Sequence, residues 1–235
     1  MRLMVTGSAP ISKDVLKFLK IAFCCPINEG YGQTECTAAA SASASNDSEV
    51  GHIGGPYPTC DFRLFDIPEM NYTSKDQDEQ GNPLPRGEIC IRGFNVFRGY
   101  FQLPDKTAEA LDENGWLHTG DVGVLLPNGA VKIIDRKKNI FKLSQGEYVA
   151  PEKLEQVFQQ MPLVMQNFMY GDSLQSNMVG IIVPEKEPLM KWAAEKGIAG
   201  TYEELCEKQE TKDMFVAELK KKGKEAGFFG FEIPQ

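Results

Sequence analysis

Three short runs in this 235-residue sequence hold residue types that can do chemistry together. The first, Gly30-Tyr31-Gly32-Gln33-Thr34-Glu35, follows an apolar segment and packs two glycines, one aromatic ring, a hydroxyl and a carboxylate into six positions. Glycines let a backbone approach a flat or phosphorylated ligand, a tyrosine can lie on a base, a threonine can donate to a phosphate oxygen, and a glutamate can hold Mg2+. The same residues also suit a polar turn after a strand. In Trp116-Leu117-His118-Thr119-Gly120-Asp121 an aspartate stands just before a strand, where its carboxylate can accept from both hydroxyls of a ribose or close an Asx turn. The third run, Ile134-Asp135-Arg136-Lys137-Lys138-Asn139-Ile140-Phe141-Lys142, sets cations beside an aspartate, a pattern that fits an anionic phosphate as well as a solvated turn.

The elements that must position these runs fall into three zones. In residues 1–50, Leu3-Met4-Val5 reads as a strand and Ser8 to Ser12 as a cap region. Val15, Leu16, Phe18, Leu19 and Ala22 then form a helical stripe, so this zone is a strand-loop-helix unit of an α/β layer. From about 51 to 134, short apolar runs such as Phe62 to Phe65 and Glu88 to Arg92 lie between Gly and Pro, and Val122 to Leu126 and Ala130 to Ile134 flank the turn Pro127-Asn128-Gly129. This zone reads as mostly β, a small barrel or sandwich. Beyond Asp135 the pattern mixes a helix opening at Pro151, a buried strand at Val179 to Val183 and a helix over Glu203 to Lys222, a small α+β domain. Ala38 to Ser48 and Thr73 to Asn82 read as loops, and no internal repeat is found.

Composition narrows the classes. With 42% hydrophobic and 25% charged residues the chain can bury a core. A net charge of -8 and one local lysine run argue against a nucleic-acid surface. The cysteines Cys24, Cys25, Cys36, Cys60, Cys90 and Cys206 form no C-x-x-C pair, none sits at metal-ligand spacing from His52 or His118, and free thiols in a reducing compartment are expected. Met1 to Pro10 lacks the charged start and apolar stretch of a leader, and no apolar run approaches the roughly 18 residues that span a bilayer. The chain reads as soluble and cytosolic in style.

Order decides what the single runs leave open. Val5 to Pro10, Tyr31 to Glu35, Gly87 to Gly93, Trp116 to Asp121 and Asp135 to Glu152 together resemble, motif by motif, the adenylate-forming (AMP-binding) ligases. Asp66 to Tyr72, Asn95 to Tyr100 and Phe141 to Lys153 are similar to the eukaryotic long-chain fatty acyl-CoA synthetases in particular. The resemblance runs to about Phe231. It implies the tail of a large adenylate-forming domain over 1–134, with an α/β layer at 1–50 and a β-barrel-like part at 51–134. A hinge and an incomplete small α+β domain would fill 135–235.

The implied reaction joins a long-chain fatty acid to coenzyme A at the expense of ATP, through an acyl-adenylate, with Mg2+ as cofactor. The resemblance places Gly7, Ser8, Ala9, Gly30, Tyr31 and Gly32 around the adenine, Asp121 on the ribose hydroxyls, and Ile133 and Arg136 in the nucleotide-binding set. It puts Thr34 on the α-phosphate, Glu35 on the metal, Asp135 at the hinge, and Lys142 in the site during thioester formation. It also implies a Ser/Thr/Gly-rich loop with a lysine upstream of Gly7, and a catalytic lysine beyond Phe231. On that basis this chain alone is expected to be inactive, with its first 50 residues short of packing partners. The alternative is a short product that only binds nucleotide, acyl-CoA or a protein partner; a luciferase or coumarate ligase is the enzymatic runner-up. Fatty acid, ATP and CoA are the expected partners, with membrane contact only through an amino-terminal part not in this sequence. The expected location is the cytoplasmic side of endoplasmic reticulum, mitochondrial or peroxisomal membranes.

Overall fold

Residues 1–9 and 11–234 are described in the computed structural model of the chain, so Pro10, the end of the Val5 to Pro10 motif, lies outside the described residues, as does Gln235. Two compact units, Met1–Lys137 and Lys138–Gln235, make up the chain. In the first, strand β1 (Met4–Thr6) leads to helix α1 (Lys13–Phe23) and back to β2 (Ile27–Tyr31), which pairs in parallel with β1. Ser12 starts the helix, its hydroxyl oxygen accepting from the Val15 N–H at 3.2 Å and satisfying one of the donors that a helix start leaves open. Leu16 is buried among Cys25, Ile27 and Val50, with Met4, Ile11 and Leu19 packed around them. Only that side of the apolar stripe is covered: Phe18 is 66% and Ile21 80% exposed.

The sheet continues antiparallel from β2 through β3 (Ser41–Ala42) to β4 (Gly55–Pro56). This corrects the reading of Ala38 to Ser48 as a loop at Ser41 and Ala42, while the rest of that stretch is turn and irregular backbone. Ser41 and Ala42 pair on both sides, Ala40, Ser41 and Ser43 are buried, and the Ser43 hydroxyl oxygen accepts from the Glu29 N–H at 2.9 Å. Small side chains suit the spot because strand pairing there is set by the backbone of Gly30 and Tyr31, which composition does not report.

Next come β5 (Cys60–Phe65), β6 (Arg86–Gly93), helix α2 (Pro104–Ala110), β7 (Leu117–Leu125) and β8 (Val131–Arg136). Their strands form an antiparallel meander in the order β5-β6-β7-β8. The sheet is open, so among the described residues the β zone is a four-stranded meander where the sequence allowed a small barrel or sandwich. One face sends Ile89, Ile91, Leu117 and Val131 into a core shared with Tyr31, Cys36, Ala40, Ile53 and Cys60. By strand alternation the other face carries Arg63, Phe65, Glu88, Cys90 and His118, with Arg63 opposite Cys90 and Cys90 opposite His118. Thr73 to Asn82 is held by its own carboxylates: Asp76 receives the Thr73 N–H and hydroxyl and Arg86 Nε, and Asp78 receives both Asn82 N–H groups.

The second unit pairs β9 (Phe141–Lys142) with β10 (Tyr148–Val149), then runs through α3 (Pro151–Phe158), the antiparallel ribbon of β11 (Val164–Tyr170) and β12 (Val179–Pro184), and helices α4 (Lys186–Glu195), α5 (Tyr202–Glu207) and α6 (Gln209–Glu225). Leu143, Val149, Leu154, Phe158, Met169, Phe215 and Leu219 share its core. Two expectations need correction. The helix over Glu203 to Lys222 is interrupted at Lys208, whose extended backbone (φ -70°, ψ 141°) ends α5 and starts α6. The strand Val179 to Val183 is present but is not buried; Ile181 is 63% exposed, because the ribbon turns one face to the core and leaves Val179, Ile181 and Val183 on the other. A continuous apolar run cannot distinguish those arrangements.

The uncovered side of α1 generates a direct test. The isolated chain should bind an apolar dye such as ANS. Replacing Phe18 and Ile21 by lysine should lower that fluorescence while moving Tm by no more than about 2 °C, since exposed positions carry little stability. Dye binding that is untouched by both substitutions would contradict this placement of the apolar surface.

Candidate functional site

Parallel strands β1 and β2 end side by side, with Thr6 opposite Glu29. The segments that leave them are Gly7-Ser8-Ala9 and, at the end of β2, Gly30-Tyr31-Gly32. Their backbones are in close approach: a Cβ on Gly7 would stand 3.0 Å from the Gly30 carbonyl oxygen. Gly32 has no room for a side chain at all, since a Cβ there would fall 2.2 Å from the Ala38 carbonyl oxygen. Gly7, Ser8 and Ala9 are exposed, and Ser8 takes a left-handed φ of 68°. Exposed backbone at the carboxyl ends of parallel strands is where open α/β sheets bind their ligands.

The second feature is a carboxylate on which two other parts of the sequence converge. Tyr31 is buried, 9% exposed, with its ring edge-on to Phe62 at 6.4 Å, and its hydroxyl donates to Asp121 Oδ2 at 2.6 Å. Arg136 faces the same group, its Nε 3.9 Å from Asp121 Oδ1. The register of β7 and β8 makes this possible by setting Asp121 directly opposite Arg136. Thr119 fixes the approach: its hydroxyl donates to the Ile89 carbonyl at 2.6 Å and accepts from the Asp121 N–H at 3.1 Å. Burial, followed by the adjacent Asp121 charge and hydrogen bond, pushes the Tyr31 phenol far above its ordinary range.

The third feature is the turn Thr34–Cys36. Glu35 at its middle is half-buried, and Tyr100 donates its hydroxyl to Glu35 Oε1 at 2.7 Å. That hydrogen bond, with burial and the Glu35 charge behind it, raises the Tyr100 phenol as well. The backbone is held from the same segment: the Phe97 N–H donates to the Glu35 carbonyl at 2.8 Å, and Asn95 Nδ2 donates to the carbonyls of Cys36 and Ala39 at 3.3 and 3.1 Å. Thr34 is exposed at the start of the turn.

The remaining expected residues are more scattered. Ile133 is partly buried against the meander core. Asp135 is fully buried on β8, opposite Val122, with Oδ1 accepting from the Arg136 N–H. The division between the units falls two residues later, after Lys137. Lys142 belongs to the second unit, exposed on β9, its Nζ 5.0 Å from the centre of the Tyr148 ring.

Residues that the sequence reading left without a role are Thr119, Asn95, Phe97 and Tyr100. They act through backbone contacts and a side-chain bond between segments 65 positions apart, and only the run Asn95 to Tyr100 stood out as a motif. One expectation is overturned: Cys90 does come within reach of a histidine, because the β6–β7 pairing brings its Sγ to 3.4 Å from His118 Nδ1.

The Tyr31–Asp121 bond predicts a pH dependence. A phenol whose folded pKa lies above its unfolded value of about 10 stabilises the fold fully below pH 10, and that stability is lost as pH rises further, at up to about 1.4 kcal/mol per pH unit. Denaturant unfolding of the chain should therefore weaken above pH 10 more steeply than that of Tyr31→Phe. Parallel curves for the two proteins would refute the buried, acid-paired phenol.

The chain is similar to known proteins. The family model of AMP-binding enzymes matches residues 1–101. Long-chain-fatty-acid–CoA ligase 1 of Cavia porcellus is 49% identical over 231 residues, covering 98% of this chain and 32% of that protein. Long chain acyl-CoA synthetase 7, peroxisomal, of Arabidopsis thaliana is 48% identical, covering 99% of this chain and 33% of that protein. Among solved structures, the AMP-bound adenylation domain of a carboxylic acid reductase from Segniliparus rugosus superposes with a TM-score of 0.80 at 31% identity, covering 98% of this chain and 32% of that one. The corresponding domain from Mycobacterium chelonae gives a TM-score of 0.79 at 33% identity over the same shares. The chain thus spans about a third of the length of the curated relatives it matches. Its fold matches part of those adenylation domains, and along almost its whole sequence it is similar to part of the long-chain fatty acyl-CoA ligases.

Proposed function

We propose that this chain supplies part of the catalytic apparatus of a ligase that activates long-chain fatty acids to acyl-CoA with ATP. The observation that carries the reading is the convergence on Asp121 of Tyr31 and Arg136, two residues from separate motifs meeting at the carboxylate of a third. A carboxylate in that place can accept from the two hydroxyls of a ribose, and a guanidinium 3.9 Å away can turn to the phosphate side of the same nucleotide. The adjoining backbones of Gly7-Ser8-Ala9 and Gly30-Tyr31-Gly32 frame the base, and Ile133 lies in the strand that carries Arg136.

In this reading a fatty acid carboxylate oxygen attacks the α-phosphorus of ATP, the bond to pyrophosphate breaks, and an acyl-adenylate forms. The CoA sulfur then attacks the acyl carbon and AMP leaves. The protein's part is to position and neutralise charge. Thr34, exposed at the start of its turn, donates to the α-phosphate. Glu35 fits Mg2+, being a hard oxygen donor whose carboxylate is already oriented by Tyr100; the ion would offset charge on the phosphates. Asp135 is the hinge between a domain over 1–134 and one over 135–235, and Lys142 enters the site for the second half-reaction. Substrates in this reading are fatty acid, ATP and CoA, and the place of work is the cytoplasmic side of an endoplasmic reticulum, mitochondrial or peroxisomal membrane, the last being the compartment in the name of the Arabidopsis relative.

Isothermal titration of the chain with ATP and AMP tests the central assignment. Asp121→Ala should weaken nucleotide binding by roughly 10- to 100-fold, the worth of hydrogen bonds to a charged acceptor. Unchanged affinity sinks the ribose role of Asp121. A fatty-acid-dependent ATP–pyrophosphate exchange assay adds to this: exchange by the chain would mean that it holds enough of the site to form the acyl-adenylate, whereas nucleotide binding without exchange is expected of a chain that carries only part of the apparatus.

A further inference from the structure

On the opposite face of the meander from the shared core, three side chains of different chemistry point at one spot. Glu88 and Cys90 lie two apart on β6, and His118 on β7 stands opposite Cys90. His118 Nδ1 is 3.4 Å from Cys90 Sγ and 3.4 Å from Glu88 Oε2. All three donor atoms fall within 4.8 Å of one another, with Glu88 and Cys90 buried and His118 half-buried.

The N···O spacing is wide for a hydrogen bond, the N···S spacing is ordinary for one, and both are close to the edges of a tetrahedron around zinc. With a Zn–S bond of about 2.3 Å and Zn–N and Zn–O bonds of about 2.0–2.2 Å, tetrahedral angles put N and S about 3.6 Å apart and N and O about 3.4 Å apart. We propose that Glu88, Cys90 and His118 form a binding site for a zinc-class divalent cation, with water as the fourth ligand. Thiolate plus imidazole selects zinc or cobalt over magnesium or calcium, which prefer oxygen alone.

Groups around the three donors fit the assignment. His118 Nε2 lies 3.8 Å from Asp112 Oδ2, the outer carboxylate that metal-bound histidines commonly acquire to fix their tautomer. Glu88 Oε1 is held separately by the Gly120 N–H at 3.1 Å, so Oε2 can serve the cation without leaving the other oxygen unsatisfied. Lys137 Nζ is the competing charge, 3.7 Å from Glu88 Oε2, yet it also stands 3.6 Å from Glu69 and can turn there as the cation enters. Binding expels the thiol proton and places a pin across β6 and β7 three residues before Asp121. The site is independent of the nucleotide reading, and its test involves no nucleotide.

The test is titration of the metal-free chain with Co2+, followed by absorption. One equivalent should bring up a near-ultraviolet thiolate-to-cobalt charge-transfer band and the visible bands of tetrahedral cobalt, and Zn2+ should displace both. Cys90→Ser should abolish the charge-transfer band, while Cys24→Ser with Cys25→Ser should leave it intact. Asp112→Asn, outside the ligand set, should weaken cobalt binding by roughly 10- to 100-fold and keep the band, which guards against a Cys90 variant that fails to fold. Absence of a charge-transfer band in the native chain, its survival in Cys90→Ser, or its loss with Cys24 and Cys25 would each overturn the proposal.

Discussion

The bond between the Tyr31 phenol and the Asp121 carboxylate ties the end of β2 to β7 within the first unit. A buried phenol needs a hydrogen-bond partner, and a buried hydroxyl left without one costs on the order of 1–3 kcal/mol. Tyr31 ends β2 of the small sheet, and its ring completes the core that Ile89, Ile91 and Leu117 build from the meander. Its acceptor stands on β7. Seating the ring therefore fixes the end of β2 against β7, and with it the place of the glycines on either side of Tyr31. The nearby guanidinium of Arg136 keeps the carboxylate from being a lone negative charge in a part-buried setting.

From that anchor the neighbouring features follow. Gly32 must be glycine because the chain leaves Tyr31 and doubles back past Ala38 with no space for a Cβ. The doubling back makes the turn that displays Thr34 and Glu35, and the segment Asn95 to Tyr100 holds that turn by backbone and side chain alike. Exposed backbone, an oriented carboxylate and a paired aspartate then stand together within one compact unit. That combination is what a nucleotide site needs from a scaffold: rigid elements behind the reacting groups, with the polar atoms already aimed.

Much of this was legible in the sequence. Ser12 followed by an apolar stripe marks α1, Pro127-Asn128-Gly129 marks the turn between β7 and β8, and the order of the glycine, aspartate and arginine motifs carries the resemblance to the AMP-binding enzymes. Pairing between distant segments was not legible. Ser41 and Ala42 look like loop because their strand character comes from the partners on each side. Val179 to Val183 looks buried because an unbroken apolar run hides which face meets the core. Cys90 and His118, 28 positions apart, meet only through the register of β6 and β7. In each case the missing information was a partner, not a propensity.

A double-mutant cycle on AMP affinity, with Tyr31→Phe, Asp121→Ala and both together, addresses the account most directly. If the phenol orders the carboxylate that holds the nucleotide, the two losses are not additive, and the coupling is about 0.5–3 kcal/mol, as for side chains in direct contact. Losses that add to within about 0.5 kcal/mol would mean that Tyr31 and Asp121 act separately, and the convergence on Asp121 would no longer carry the functional reading.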